Sequence, residues 1–414
     1  MFTKLFNYPA VISRHLNAPF ARERESYLAH RAREGIVRNT LLRIARELLI
    51  IIHEMDLQPQ MPIDIQTIES AAEHWARRQK RRNRARTLQY SRIVFIQAAR
   101  DWLKFLGSLA EPESTPEPYA PAIQEFLLFM QHERGLSAVT IRNYLWHVRQ
   151  FLGWFTKLCR TLDNVSVLDV DVFVGQHRHS WSRVTSASCV KSLRAFFRYA
   201  EGRGWCTNGI AEAIETPRIF KQESLPTGPD WGSVQKLFSS TESDNPRDIR
   251  DRAILMLFSI YGFRSGEVGQ LQLENLDWER EIISVYRSKQ RTSQSYPLTH
   301  TIGAAILRYL KGTRPKAKHR NVFLTLKAPF RPISAGGMYH IVNSRISHLG
   351  IESYHKGPHA LRHACAAHLV SEGFSLKEIG DHLGHRSAYA TRIYAKVDLA
   401  GLRQVANFDI GGVL

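Results

Sequence analysis

Two irregular stretches that contain proline divide this chain of 414 residues into three pieces. The first, LAEPESTPEPYAP at 109–121, is rich in proline and acidic residues, and the second, ETPRIFKQESLPTGPD, spans 215–230. Proline lacks a backbone N–H and disfavours helix in the residue before it, so such stretches are typical of extended linkers. We therefore expect a basic helical region at 1–110, a second helical domain at 115–217 and a C-terminal domain at 225–414.

Apolar residues recur at helical spacing in all three regions. In the first region the segment 36–57 carries an apolar stripe, and a further helix pair follows it. In the second region Gly135 separates two amphipathic helices, and Ser137 is placed as the N-cap of the second one. In the third region the segment 247–261 is almost wholly apolar beyond its first turns, which predicts a buried helix.

Strand signals are confined to the third region. They predict a strand at Ile282 to Tyr286, a polar turn, and a returning strand at Tyr296 to Leu298, with VFLT at 322–325 as a candidate further strand. The expected fold class is therefore mainly α with a small β-sheet, an α+β arrangement.

The chain is strongly basic. Its 57 Lys and Arg residues exceed its 38 Asp and Glu residues and give a formal net charge of +19, which indicates a polyanion as partner, and nucleic acid is the commonest one. A membrane partner is not expected, because no apolar run approaches the roughly 20 residues that span a bilayer and the N-terminus lacks an apolar signal-peptide core. We expect a cytoplasmic, nucleoid-associated protein.

One run, ARRQKRRNRAR at 76–86, contains no acidic residue. Such a run is either a solvated, self-repelling loop or a contact to the DNA phosphates. In a chain of this charge we favour the second, with DNA contacts from Arg77, Arg78, Arg81 and Arg82.

The four cysteines show no C-x-x-C spacing, which argues against a zinc site and a disulfide framework. They suit small buried apolar residues in helices. We expect no metal and no cofactor.

The last third of the chain concentrates side chains that bind phosphate. His359 and Arg362 stand three residues apart, so on a helix they share one face, while His385 lies in a Leu-Gly-His turn and Tyr394 follows nine residues later. A guanidinium forks onto phosphate oxygens, an imidazole donates to them, and a tyrosine hydroxyl attacks phosphorus and becomes covalently attached. The set indicates phosphoryl transfer without a metal, with Tyr389 as the rival nucleophile.

A zinc site is the alternative interpretation of these histidines. His359 and His363 have the i,i+4 spacing of zinc hydrolases. However, Ala360 occupies the position of the glutamate in that motif, and Arg362 between the two histidines would repel a cation. We favour the anion-binding interpretation.

This spacing resembles the C-terminal box of the tyrosine recombinases, the phage integrase family. The H-x-x-R of that family is matched by His359 and Arg362, its L-G-H by Leu383 to His385, and its nucleophilic tyrosine by Tyr394. The resemblance implies that the helical second region is the family's core-binding, SAM-like domain, whose motifs look like Gly135 to Ser137, Thr140, Tyr144 and Leu193 to Tyr199 here.

Upstream, YGFRSGEVGQL at 261–271 looks like the first arginine box of the family, with Arg264 as its arginine and Glu267 on the acidic position. The resemblance implies that Arg264 and Arg362 clamp the non-bridging phosphate oxygens and that His385 donates a further hydrogen bond. Glu267 is either a supporting acceptor beside the active site or an exposed helix carboxylate, and the sequence favours neither.

Proton transfer is assigned by the same resemblance. His359 assists proton removal from Tyr394, and Lys289, at the tip of the hairpin, protonates the leaving 5′-oxygen. The product is a 3′-phosphotyrosyl link that conserves the bond energy, so rejoining needs neither ATP nor a metal. Further DNA contacts are expected at Thr140, Arg142, Lys191, Arg287 and Arg291.

The resemblance thus implies a site-specific DNA recombinase that integrates or excises a mobile element. Its expected partner is double-stranded DNA, on which it forms a homotetramer at paired sites, with accessory recombinase subunits as further partners. The alternatives are a type IB topoisomerase-like enzyme that relaxes DNA and an idle DNA-binding regulator of the same fold. The tail after Asp398 is expected to form a short amphipathic helix that docks on a neighbouring protomer or on its own domain.

Overall fold

The structure is a computed structural model, and it describes residues 1–57, 62–78, 88–110, 119–218, 227–287, 292–385 and 387–397. Its backbone contacts form two compact units. One unit combines Met1–Leu109 with Ser224–Leu414, and the other is Ala110–Glu223. The N-terminal helices therefore belong to the same unit as the C-terminal region that carries the predicted site.

The N-terminal part of the first unit is mainly helical in its described residues. Its helices are α1 (Phe2–Leu5), α2 (Pro9–Asn17), α3 (Ala21–Arg33), α4 (Arg38–Met55), α5 (Ile65–Arg78) and α6 (Leu88–Leu106). Their apolar stripes enclose a core around the fully buried Trp102, Phe95 and Leu48. The long helix over 36–57 and the helix pair after it are thereby confirmed.

The second unit is a helical bundle. Its helices are α7 (Ala120–Leu128), α8 (Ala138–Thr156), α9 (Val167–Gln176), α10 (Arg183–Gly202) and α11 (Ile210–Ala213). Gly135, at φ 57°, lies in the turn before α8, and the Ser137 side chain accepts a hydrogen bond from the Thr140 backbone N–H at 3.3 Å. The predicted N-cap is therefore confirmed.

The C-terminal part of the first unit packs helices around a small sheet. Its helices are α12 (Trp231–Ser239), α13 (Pro246–Ser259), α14 (Ser265–Gln270), α15 (His300–Gly312), α16 (Ala335–His348), α17 (Pro358–Ser371) and α18 (Leu376–Leu383). Helix α13 is buried along its apolar length, as its sequence predicted, and it packs against α15 and α17. Burial of that helix fixes the position of α17, which carries His359 and Arg362.

The sheet has three antiparallel strands in the order β1 (Leu276–Asp277), β2 (Ile282–Arg287) and β3 (Thr292–Pro297). Ile282 pairs with Pro297 and Arg287 with Thr292, so the returning strand begins four residues earlier than its first predicted residue, Tyr296. The candidate strand at 322–325 was wrong: Leu324 forms only an isolated bridge to Pro332, although residues 322–324 are buried.

Three of the four cysteines are buried as expected, but Cys159 is exposed. Cys159 lies in a turn after α8 with a left-handed backbone, φ 52°, so it does not face a core. Within the described ranges, no helix combines the length and the apolar character that crossing a membrane requires.

Candidate active site

The turn before α14 holds the first predicted arginine. Gly262 adopts φ 61°, which turns the chain between the buried rings of Tyr261 and Phe263, and the helix then begins directly after Arg264. The Glu267 carboxylate caps this helix: it accepts the Arg264 backbone N–H at 2.8 Å and Nη1 of the Arg264 guanidinium at 2.9 Å. Arg264 is thereby fixed at a helix N-terminus with its side chain 29% exposed.

Glu267 is a buried acceptor and not an exposed carboxylate. Its side chain is 5% exposed, and both its oxygens accept from Nη1 of Arg287, at 2.9 and 2.8 Å. Burial alone would raise the pKa of Glu267, but the Arg264 backbone bond and the charges of Arg287 and Arg264 outweigh it and lower that pKa. Of the two alternatives for Glu267, the structure supports the one beside the active site.

Arg287 was expected to contact DNA, and its position contradicts that expectation. Its side chain is 1% exposed, because β2 turns it to the inner face of the sheet beside the rings of Phe263 and Tyr296. Its guanidinium donates to Glu267, to the Gln294 side chain at 3.1 Å and to the Tyr296 hydroxyl. Arg287 is therefore an internal cation, and its hydrogen bonds are made within the protein.

Arg362 lies on the inner face of α17. It is 4% exposed and donates from Nη1 to the carbonyl of Gly262 and from Nη2 to the carbonyl of Leu383, at 2.8 Å. Burial, followed by the nearby charge of Arg264, lowers the pKa of Arg362 to about 10, so its guanidinium is still charged at neutral pH. The two carbonyl bonds hold this cation between the α14 turn and the end of α18.

Tyr394 is buried on a 3-10 helix, Arg392–Val397, that packs against α17. Its side chain is 2% exposed and lies in an apolar cluster with Cys365, Ile379 and Leu383. Its hydroxyl oxygen lies 2.9 Å from Nδ1 of His363. Burial raises the pKa of Tyr394 to about 12, although the charge of Arg362 opposes this shift.

His385 is brought beside Tyr394 by the end of α18. Gly384 caps that helix with a left-handed backbone, φ 62°, and its carbonyl accepts from Nη2 of Arg264 at 3.3 Å. The His385 ring is parallel to that of Tyr394 with centroids 6.4 Å apart, and its Nδ1 lies 2.8 Å from the Thr391 hydroxyl. Burial and the charge of Arg362 lower the pKa of His385 to about 4.

The described part of the chain thus brings Arg264, Arg362, His385 and Tyr394 into one region. His359 also lies on α17 but is exposed, and its ring centroid is 6.2 Å from that of His363. The rival nucleophile Tyr389 is 46% exposed, in contrast to the buried Tyr394. Lys289 and Arg291 lie outside the described residues.

His363 is a site residue for which the sequence pattern predicts no part in the reaction. In the sequence it is only the second histidine of the i,i+4 pair, one helical turn beyond His359. Its contact with Tyr394 joins residues 31 positions apart, and spacing along one helix does not reveal such a contact.

Among the other expected DNA contacts that the structure describes, the basic side chains are exposed. Arg77 and Arg78, at the end of α5, are exposed and face Glu73 and Glu54 at 3.0 and 3.7 Å, while Arg81 and Arg82 lie outside the described residues. In the second unit Arg142 and Lys191 are exposed. Thr140 is half-buried in the cap of α8, where its hydroxyl lies 2.9 Å from that of Ser137.

A groove of the second unit places the predicted contact Lys191 among further basic side chains for which the sequence carried no prediction. It is lined by the rings of Phe129, Tyr144 and Tyr199 together with basic side chains, namely Arg134, Lys191, Arg194, Arg198 and Arg203. Arg194 donates to the Thr216 hydroxyl at 2.9 Å, and Arg203 pairs with Glu125 at 2.7 Å. Basic side chains interleaved with aromatic rings are typical of nucleic-acid surfaces.

Comparison with known proteins finds similar sequences and a similar fold. The sequence matches the profile of the Phage integrase family over residues 232–400 and that of the Phage integrase, N-terminal SAM-like domain over residues 123–204. It is 36% identical over 299 residues to the putative integrase/recombinase y4rA of Sinorhizobium fredii, covering 72% of each chain. It is 31% identical over 290 residues to the tyrosine recombinase XerD of Listeria innocua, covering 68% of this chain and 96% of that protein.

Among solved structures, the fold is similar to that of the XerH site-specific recombinase bound to its palindromic difH substrate in a post-cleavage complex. The TM-score is 0.56 at 17% identity, over 85% of this chain and 98% of that one. At this identity the likeness shows a shared fold.

Proposed function

This chain belongs to the tyrosine recombinases, the phage integrase family, and on that premise we propose that it is a mobile-element recombinase with Tyr394 as its nucleophile. It cleaves and rejoins DNA through a 3′-phosphotyrosyl intermediate. The observation that carries the residue assignment is the buried Tyr394 hydroxyl, bonded to His363 in a region that also holds Arg264, Arg362 and His385.

The two arginines supply the charge that phosphoryl transfer requires. A phosphodiester in its pentacoordinate transition state carries negative charge on its non-bridging oxygens, and guanidinium groups fixed beforehand stabilise it. Arg362 has five N–H donors and gives two of them to the carbonyls of Gly262 and Leu383. Arg264 is partly exposed and is the N-cap residue of α14. Both are therefore suited to bind the scissile phosphate.

The histidines and Lys289 transfer protons or donate a hydrogen bond to the phosphate in this proposal. Tyr394, whose pKa is raised to about 12, does not ionise by itself at neutral pH, so its proton has to pass to a base as the bond to phosphorus forms. His359 and His363 on α17 are the candidate bases. We assign a hydrogen bond to the phosphate to His385 and protonation of the leaving 5′-oxygen to Lys289, as the family resemblance implies.

The DNA contacts and the assembly belong to the same proposal. The exposed Arg142 and Lys191 of the second unit, and the groove that contains Lys191, would bind the duplex. Arg77 and Arg78 would add phosphate contacts. Because recombination joins two duplexes, four protomers would act on paired sites, with accessory recombinase subunits as further partners, at the nucleoid in the cytoplasm.

Two other functions would use parts of the same site. A topoisomerase-like enzyme would relax DNA with the same chemistry, but the match to the SAM-like domain of integrases over residues 123–204 favours recombination. An idle regulator would bind DNA without cleaving it, and it would not need a buried tyrosine hydroxyl hydrogen-bonded to a histidine and near the charge of Arg362. Pairing of two sites distinguishes a recombinase from a topoisomerase.

The test is a covalent trap. Nicked duplexes tiled across the DNA that flanks the gene are incubated with the full chain in EDTA, and adducts are resolved by denaturing electrophoresis. We expect a protein–DNA adduct on the 3′-phosphate that Tyr394→Phe abolishes. The matched control, Tyr389→Phe, should still form it. An adduct from Tyr394→Phe, or complete loss of the adduct in EDTA, would show the mechanism to be wrong.

A further inference from the structure

His359 and His363 lie one turn apart on α17, and His363 contacts the Tyr394 hydroxyl. Nδ1 of His363 is 2.9 Å from the Tyr394 hydroxyl, and the two ring centroids are 5.7 Å apart. His359, which matches the histidine of the H-x-x-R motif, is exposed on the same helix. The distance from His363 is within the range that proton transfer in the reaction requires.

The position of His363 is fixed by packing around α17. The described segment before α12 passes so close to this helix that a Cβ at Gly228 would lie 2.6 Å from the Ala360 carbonyl and 3.2 Å from the His363 Cβ. Tyr394, whose hydroxyl contacts His363, is buried in its own apolar cluster. The imidazole and the phenol are therefore held in contact before DNA binds.

Resting on the recombinase function proposed above, we infer that His363 is the base that accepts the Tyr394 proton during cleavage. As the bond from the Tyr394 oxygen to phosphorus forms, the phenolic proton moves to Nδ1 of His363. The bond from phosphorus to the 5′-oxygen breaks, and that oxygen takes a proton from Lys289. In rejoining, each proton returns to its donor, so His363 protonates the departing tyrosine oxygen.

Burial and the neighbouring cationic groups keep the His363 imidazole uncharged, the form that accepts a proton. Burial, and then the groups His359, Arg362 and His355, lower its pKa to about 4, so at neutral pH the imidazole is uncharged. His385 and Tyr394 are the titratable groups that face it from the end of α18 and the 3-10 helix. A bound phosphate brings negative charge, which offsets that of Arg362 and makes protonation of His363 easier during the reaction.

The experiment compares two asparagine variants of one helix. His363→Asn puts an amide where Nδ1 stands, so it can keep the hydrogen bond to Tyr394 but cannot take a proton. His359→Asn is the matched control. Single-turnover cleavage of the nicked flanking-DNA duplexes is measured in EDTA across pH 4 to 9, a range that runs from the lowered pKa of His363, about 4, past the ordinary imidazole pKa of about 6.5. Duplex binding is measured by gel shift.

We expect wild-type cleavage to fall on acidification, because a protonated His363 cannot accept the proton. His363→Asn should cleave about 100-fold more slowly at neutral pH with unchanged binding, and it should lose the acid decline. His359→Asn should keep that decline. Added imidazole should restore part of the cleavage by His363→Ala. Such rescue requires a folded active site, so it separates loss of the base from loss of the fold.

Three results would overturn the inference. The cleavage rate of His363→Asn could fall on acidification as that of the wild type does, or His359→Asn alone could lose this fall. Imidazole could also fail to restore cleavage by a folded His363→Ala. These results differ from failure of the proposed function. In that case Tyr394→Phe would still form the adduct, whatever occupies position 363.

Discussion

Replacing Arg287 by methionine should destabilise the first unit by about 3–5 kcal/mol, the usual cost of removing one partner of a buried ion pair. The Arg287 side chain is 1% exposed and that of Glu267 5%, so neither charge is solvated by water. Without Arg287, the Glu267 carboxylate stays buried with only Arg264 as its cation. Methionine fills a similar volume, so the loss reports the removal of one of the two cations that bind Glu267 and not a cavity.

The assay is urea unfolding of the full chain at neutral pH, followed by circular dichroism. The matched control is Arg77→Met in the same unit, because Arg77 pairs with Glu73 at 3.0 Å but its side chain is 75% exposed. Exposed i,i+4 pairs contribute about 0.5 kcal/mol or less, so the control should unfold almost as the wild type does.

The pH dependence tests the electrostatic cause. The folded-state pKa of Glu267 is lowered, so its contribution to stability is present above the unfolded value of 4.5 and is lost as the pH falls through the folded value. In Arg287→Met the charge of Arg287 no longer lowers the pKa of Glu267, so that pKa is higher than in the wild type, and protonation then removes the buried charge that lost one of its two cations. The difference between variant and wild type should therefore shrink as the pH is lowered from 7 toward 4.

Adding Glu267→Gln to Arg287→Met should recover part of the lost stability, because the buried charge is gone. An equal difference in unfolding free energy at both pH values, or a double variant that is less stable than Arg287→Met, would refute this explanation.

Three further predictions concern the surface, a turn and the tail. Neutralising arginines of the basic run at 76–86 should weaken binding to all duplexes alike and reduce the salt slope by about 0.9 per lost phosphate contact, as measured by binding titrations at several salt concentrations. Gly384→Ala should lower the unfolding temperature more than Gly373→Ala: both positions have positive φ, but only a Cβ at Gly384 meets the Arg287 guanidinium, at 2.6 Å. Deleting the residues after Asp398 should preserve single-site binding and reduce pairing of two sites on native gels; normal pairing would contradict a docking role for the tail.

Much of the fold could be read from the sequence because its signals are local. The apolar run of α13, the Ser137 cap and the β2 strand each depend on residues within one turn or one strand. The β3 start was missed because its first residues, Thr292 to Ser295, are polar and mostly exposed, so they carry no apolar alternation. Their strand conformation comes from pairing with β2.

The sequence predicted a DNA contact for Arg287, although the alternation of residues along β2 indicates that its side chain is buried. Ile283, Val285 and Arg287 alternate along β2, so all three must lie on one face, and the first two are apolar. An arginine on the inner face needs a buried acid, but the sequence does not say which. Glu267, 20 residues earlier, meets it only through the packing of α14 against β2. Charge alone suggested a DNA contact, and the strand period should have outweighed it.

The bonds around Glu267 link the elements that carry the proposed catalytic groups. Glu267 holds Arg264 directly and Arg287 of β2, while the β3 residues Gln294 and Tyr296 donate to carbonyls of α18, at 2.8 and 2.6 Å, close to His385. Donors stabilise a transition state most when they need no reorganisation as charge develops. A buried carboxylate that binds two arginines costs desolvation energy, which stability alone would not favour over an apolar pair. We therefore attribute the presence of this pair to the orientation of Arg264, which an apolar contact could not fix.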